Sequence, residues 1–298
     1  DVVAGDLEAL VDGLDTPLAD PTSIPTWYMC RLARDRVTVA LSGEGADEIF
    51  GGYARQRYDV AIDRLGGAGR SLLPMAMRLA GRTPSARLRR RLRMRPGLAR
   101  QLDWGRVFDA DTVDALVHGP STSDEAMLER YAELDDRWRR LAVSDPVNGR
   151  LMTDREVFLP CDLLPKVDRM SMAHSLEVRV PYLDNEVADL MLALPGRYKA
   201  GLWRDKILLR HAARPLLPEA AERTKRGFEV PIGAWLRGPL RTPLREWLAP
   251  DRIDRQGVLN GGAVKAIVDR HLSGERDEGR ALWSLMVLSR WLETVEPA

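Results

Sequence analysis

Between Val37 and Tyr53 the chain changes its hydrophobic rhythm. Val37-Thr38-Val39-Ala40-Leu41 is a run rich in β-formers, and its apolar character predicts an interior strand of a parallel sheet. Ala46 to Phe50 can continue as a helix, with Ser42-Gly43-Glu44-Gly45 as the turn between them. Upstream, Leu7, Leu10, Val11 and Leu14 recur at helical spacing, so residues 5–14 read as a helix end. Ser23 is a candidate N-cap, with Pro25 in the first turn, for a helix running to about Ala33. From Tyr53 to about Asp145 the pattern is helical, with Gly or Pro punctuation at 66–69, 74, 84, 96 and 119–120. Residues 176–184 alternate apolar and charged positions as a short extended segment, which puts Glu177 and Arg179 on one face. Helices are predicted at about 185–194 and 205–214. The last one ends in Leu282 to Leu292, whose apolar positions wrap most of the helix and predict a buried closing element.

Charge refines this outline at two places. Residues 82–100 hold eight arginines, among them Arg89-Arg90-Arg91. Few aromatics interleave them and the whole chain balances 45 basic against 44 acidic residues, so a solvated helical face is favoured over a nucleic-acid patch. In the second place, Asp168 and Arg169 lie between Val167, Met170 and Met172, which predicts a partly buried ionic helix needing partners or a ligand. With a net charge of +1, no global field argues for nucleic acid or a membrane surface. The chain has no apolar run long enough to span a bilayer and no signal peptide, so the expectation is a cytoplasmic protein. Cys30 and Cys161 lack metal-ligand spacing, and His118, His174, His211 and His271 form neither a zinc site nor a triad. Tryptophans and methionines are core material by default.

Candidate chemistry centres on the turn. A strand followed by a Gly-rich turn and a helix start can hold phosphates, because glycines allow close backbone approach and free N–H groups attract anions. This turn carries Glu44, Asp47 and Glu48 and no lysine. Acids beside phosphate imply a metal ion or proton transfer. An ordinary strand-to-helix turn with capping acids has the same pattern. Farther on, Arg223-Thr224-Lys225-Arg226-Gly227-Phe228 is a basic, glycine-hinged loop able to reach a polyphosphate, or simply a surface loop.

Four long motifs in one order resemble the synthetase domain of the glutamine-hydrolysing asparagine synthase family. They are Leu41 to Tyr53 (LSGEGADEIFGGY), Leu163 to Asp184 (LLPKVDRMSMAHSLEVRVPYLD), Asp205 to Arg210 (DKILLR) and Arg223 to Pro231 (RTKRGFEVP). The resemblance covers nearly the whole chain and is weakest at 60–145. It implies an α/β, mainly helical fold. Part of an adenine-nucleotide α-hydrolase-like (ATP pyrophosphatase) parallel sheet would be embedded in a helical domain, with residues 1–60 a remnant of the nucleotide-binding core, 60–145 a variable helical region and 146–298 the substrate and pyrophosphate side. It also implies ATP and Mg²⁺ as cofactors. A carboxylate such as aspartate attacks ATP to give an acyl-adenylate, and ammonia from glutamine then makes the amide.

By the same resemblance, Ser42 and Gly43 fall on ATP-contacting backbone. Glu44 falls on an acid for forming and consuming the adenylate, Asp47 on the Mg²⁺–pyrophosphate acid, and Lys225 on the lysine that stabilises the leaving pyrophosphate. Lys206, Asp168, Arg169, Glu177 and Arg179 match positions lining or supporting the substrate side. β-Lactam-forming relatives carry tyrosine at the Glu44 position, so Glu44 points to an amidotransferase. A lasso-type peptide macrocyclase and a non-catalytic relative are the alternatives.

Departures shape the expected activity. The family's SGGxDS loop is absent from the chain, and so is the N-terminal glutaminase domain with its cysteine nucleophile, because the first cysteine, Cys30, lies within a predicted helix. The chain starts at Asp1 inside a helical pattern, which reads as a cut within a longer protein. The isolated chain is therefore expected to leave glutamine intact and to show little synthetase activity, with the parent's glutaminase domain as its partner and an open sheet edge beside the strand.

Overall fold

The computed structural model describes residues 2–119, 126, 129–224, 227 and 230–295. The fold is mainly helical, with a small parallel sheet. Helix α1 (Val2–Asp12) buries Leu7, Leu10 and Val11, which helical spacing puts on one stripe. That stripe packs on the C-terminal Gly279–Val295 helix, where Leu282, Trp283 and Met286 are fully buried. The same core takes in Ile24 and Trp27 of α2 (Ser23–Arg34) and Leu236, Leu240, Leu244 and Trp247 of the helices before the last. Arg290 clamps Asp12 with two bonds of 2.7 and 2.8 Å, joining the first helix to the last. The predicted closing role of the last helix and the core role of the tryptophans hold, except that Trp203 is 90% exposed.

α2 begins one residue earlier than the predicted cap implies. Thr22 occupies the N-cap position and Ser23 is the first helical residue. The carboxylate of Asp20 accepts from both the backbone N and the Oγ1 of Thr22, at 3.0 and 2.6 Å, so the acid organises this entry.

Strand β1 (Val39–Leu41) pairs in parallel with β2 (Glu177–Arg179), Val39 opposite Glu177 and Leu41 opposite Arg179. Ser42 N donates to Arg179 O at 2.8 Å and extends the ladder into the turn. The expectation of an interior strand needs correction. Among the described residues the sheet has only these two strands, and Val39 and Leu41 are 39% and 73% exposed. An apolar run reports the burial a strand is suited to, and neighbouring strands decide whether it is reached.

Region 60–145 also departs from expectation. The 66–79 helix runs through Gly67, Gly69 and Pro74 without breaking, and none of its residues is buried. The arginines of 82–100 form a solvated face only in part: Arg82, Arg93 and Arg95 are exposed, while two others are sealed in. Arg91 and Arg100 are 1% and 0% exposed. Asp59 and Asp63, one turn apart on α4 (Ala54–Arg64), point into this cluster. Asp59 accepts two bonds from Arg91 and one each from Gln101 and Trp104, all at 2.9 Å. Asp63 takes Arg100 at 2.5 Å and also pairs with buried Arg150. Asp103 pairs with Arg90 at 2.5 Å and Arg91 at 3.3 Å. Acids outside the run neutralise Arg91 and Arg100 and allow them to be buried.

Candidate functional site

β1 delivers the chain to the Ser42–Gly45 turn, and α3 (Ala46–Phe50) carries it inward. Gly45 sits at φ 85°, and a Cβ there would lie 2.3 Å from Leu183 Cδ2, so both conformation and packing require glycine. Gly43 differs: a Cβ there would meet nothing within 4 Å. Neighbouring protein atoms do not demand that glycine, which leaves open space at the turn.

The turn forms one wall of a cleft of about 630 Å³, whose lining includes Ser42, Gly43, Glu44 and Asp47. Opposite it stand Asp20, Thr22 and Thr26 from the start of α2, and Leu163, Lys166 and Val167. The last two belong to the Leu164–Met172 helix. Gly227, from the loop that holds the RTKRGF motif, also reaches the lining. Four of the sequence-predicted residues are thus brought together. Glu44 is half-buried on the cleft wall.

A fifth joins them indirectly. Lys206 Nζ lies 2.9 Å from Asp47 Oδ1. To reach it, Lys206 adopts φ 45°, a left-handed conformation that costs a non-glycine residue about 1 kcal/mol or more. Gly52 makes room for the pair: a Cβ on it would fall 1.7 Å from Asp47 Oδ1 and 2.4 Å from Lys206 Cε. The second glycine of Gly51-Gly52 is therefore explained by the acid and the lysine crossing it.

The other substrate-side expectations fall elsewhere. Asp168 and Arg169 are 59% and 41% exposed; they pair with each other at 2.6 Å, and Arg169 lies 3.6 Å from Asp15. Neither lines the cleft. The buried charge of this helix is Lys166, not the Asp168–Arg169 pair. Glu177 and Arg179 share a face as predicted and bond at 2.8 Å, but that face is exposed, and Val178 between them lines the cleft. Lys225 lies outside the described residues.

Sequence reasoning did not select four charged or polar groups that the fold places at the cleft or directly behind it. Lys166 Nζ donates to Asp20 Oδ2 at 2.7 Å and Thr22 Oγ1 at 2.8 Å. Burial alone would raise the Asp20 carboxyl, but the Lys166 charge and the bonds from Lys166 and Thr22 outweigh it and hold the group below the usual range. Behind the turn, Glu48 is 1% exposed and accepts from the Tyr53 hydroxyl, which lines the cleft. Desolvation pushes the Glu48 carboxyl up to about 7 despite that bond. Burial and the Glu48 carboxylate both push the Tyr53 phenol up.

Arg55 lies 3.8 Å over the Tyr53 ring and 4.6 Å over Phe158, and bonds Asp154 at 2.7 Å. Asp154 opens a ten-residue π-helix, Asp154–Leu163, which contains Pro160. Wide turns of this kind re-aim side chains and recur at functional sites. Within it, burial and then the charge of Asp20 push Asp162 up to about 6. The useful sequence signal was periodicity, because Leu163, Lys166 and Val167 stand at i, i+3 and i+4 on one stripe.

Among the described residues, no group of three or more His, Cys, Asp or Glu could hold a metal ion by itself. A Mg²⁺ ion carried by phosphates needs only one or two protein carboxylates. Glu44 and Asp47, on one wall beside the open space at Gly43, meet that requirement. No described helix is long and apolar enough to cross a membrane.

The asparagine synthase family profile matches residues 1–293. The chain belongs to the asparagine synthase family. It is similar to asparagine synthetase (glutamine-hydrolyzing) 1 of Bacillus subtilis strain 168, 30% identical over 292 residues, covering 96% of this chain and 45% of that protein. A second Bacillus subtilis protein, asparagine synthetase (glutamine-hydrolyzing) 3, is 27% identical over 278 residues, covering 93% and 39%. Amidase chry2 of Gibberella zeae is 25% identical over 186 residues, covering 59% and 27%. The chain thus spans less than half the length of the curated relatives it matches. The asparagine synthetases among them are carbon–nitrogen ligases by name, and these relatives do not favour the macrocyclase or the non-catalytic reading.

Proposed function

We propose that this chain is the synthetase portion of an ATP-dependent amide-forming ligase that works through an acyl-adenylate. One observation carries the reading: Ser42, Gly43, Glu44 and Asp47 converge with the Asp20–Lys166 pair on a single cleft. Its size falls in the range of roughly 300–1,000 Å³ typical of small-molecule sites. In this reading the nucleotide lies against the Ser42–Gly43 backbone, using the space that a side chain on Gly43 would fill. Asp47 would hold a phosphate-borne Mg²⁺, which would neutralise the leaving pyrophosphate.

The chemistry has two displacements. A carboxylate oxygen of the acceptor bonds to the α-phosphorus as the bond from that phosphorus to the bridging oxygen breaks, releasing pyrophosphate. Ammonia then bonds to the acyl carbon, the acyl carbon–oxygen bond breaks, and AMP leaves. The nitrogen sheds its proton to Glu44, the half-buried acid on the cleft wall. Lys206, held against Asp47, keeps that acid aimed, and Lys225 completes the pyrophosphate side. The acceptor is aspartate or another carboxylate. The Lys166 ammonium, anchored by Asp20 and Thr22, is the cation available to orient it.

The sheet belongs, in this proposal, to an adenine-nucleotide α-hydrolase-like core, with upstream strands and a glutaminase domain in the whole protein. The test is carboxylate-dependent ATP–pyrophosphate exchange, followed by ammonia-dependent AMP release, in the natural full-length context. Glu44→Gln should lower AMP release about 100-fold or more, a usual contribution of a positioned acid or base. Unchanged turnover in that variant, or no exchange with any amino-acid carboxylate, would refute the assignment. The isolated 298-residue chain is expected to give only background exchange.

A further inference from the structure

A second pocket, of about 420 Å³, opens between α4, the 203–214 segment and the 221–224 segment. Five arginines line it, Arg57, Arg204, Arg210, Arg214 and Arg223, against two carboxylates, Asp205 and Glu222. For a chain with a net charge of +1, that is a concentrated positive field.

Two of the five are already engaged by carboxylates within the protein. Arg210 bonds Asp205 Oδ1 at 2.8 and 2.6 Å and reaches the carbonyl oxygens of Ala221 and Arg223 at 2.7 and 2.8 Å. It joins three segments and holds the pocket's shape. Arg214 pairs with Glu222. The other three retain unused donors. Arg57 Nη2 is 3.7 Å from Asp205 Oδ2, too far for a hydrogen bond, so its donors remain free for an incoming acceptor. Arg204 and Arg223 are exposed, and neither side chain forms an ion pair among the described residues. Beside them, Trp203 lines the pocket with 90% of its surface exposed.

We propose that this pocket is a second ligand site, for an aromatic anion of the nucleoside monophosphate class. The phosphate meets Arg57, Arg204 and Arg223, and the base stacks on Trp203. Guanidinium forks suit phosphate oxygens, and an exposed indole offers a flat face to any base. The pocket shares Asp205 with the motif that presents Lys206 to Asp47, so an occupant bears on a segment connected to the reaction cleft.

Titration calorimetry of the 298-residue chain with AMP at low ionic strength tests this, with adenosine and inorganic phosphate as part-ligands. AMP should bind more tightly than either part, and more weakly as salt rises. The variant Trp203→Ala, Arg204→Ala, Arg223→Ala alters only exposed side chains, so it should fold as the native chain does, and an unchanged thermal melt checks this. Its AMP affinity should fall about tenfold or more. Equal AMP affinity in the two proteins, or no AMP binding by the native chain, overturns the proposal.

Discussion

The Ser42–Tyr53 turn and the arginine-rich 82–100 segment are both dense in charge, yet the fold treats them oppositely. In the arginine segment, Arg91 and Arg100 are sealed in a lattice of aspartates. At the turn, Glu44 and Asp47 stay half-buried on the wall of an open cleft. A sealed ion pair contributes architecture, because losing either partner strands a buried charge. A charge on a cleft wall keeps access to solvent and ligand, where it can do chemistry.

The sharpest way to break this contrast is Asp59→Ala, which would leave buried Arg91 with only its longer contact to Asp103 and the Trp104 indole N–H without its acceptor. Denaturant unfolding should show a loss of about 3–5 kcal/mol or an unfolded chain. A loss below about 1 kcal/mol would show that the lattice is not structural.

Glu48 tests the boundary between the two classes, since it is buried like the lattice yet bonded to a cleft residue. Its folded pKa, about 7, lies above the ordinary value of 4.5. The native state therefore holds more protons than the unfolded one between those values, and this group's contribution falls as pH rises from about 4.5 to 7. The magnitude is about 3 kcal/mol, then constant at higher pH. Asp162, pushed up to about 6, acts in the same direction. Asp20, held below its ordinary value, acts in the opposite one and loses its contribution only in acid. Stability measured against pH should flatten in Glu48→Gln. An unaltered slope would exclude Glu48 as its source.

Gly52→Ala comes next, because its methyl group would collide with the Asp47–Lys206 crossing. A melting experiment should report a loss of about 1–3 kcal/mol. The smallest effect belongs to Glu177→Ala with Arg179→Ala, an exposed pair on β2. Its removal should change stability by less than about 0.5 kcal/mol, and a larger loss would mean that this face is not solvated.

Much of the turn was legible because its information is local. The β-formers, the glycines and the acids lie within seventeen consecutive residues, Val37 to Tyr53. Lys206 was recoverable from its motif, although nothing local could show that it crosses Gly52 to meet Asp47. Asp20 and Lys166 stand 146 residues apart, and their pairing has no local signature. On the same helix, Asp168 and Arg169 were chosen for their apolar neighbours. The helical stripe instead turned Lys166 and Val167 inward and left that pair half-exposed. Arg91 and Arg100 depart from the expected solvated face for a related reason, since their counter-charges come mainly from α4 and Asp103, outside the run itself.

By itself, then, the sequence determined the order of elements, the strand–turn–helix, the buried final helix and the family. Only the tertiary structure decided which charges were sealed, which faced the cleft, and that the strand stands exposed beside one neighbour. Backbone preference and periodicity act over a few residues, within one turn or one strand. Burial and ion pairing depend on which distant segments arrive, and their energies turn on desolvation that no single segment controls.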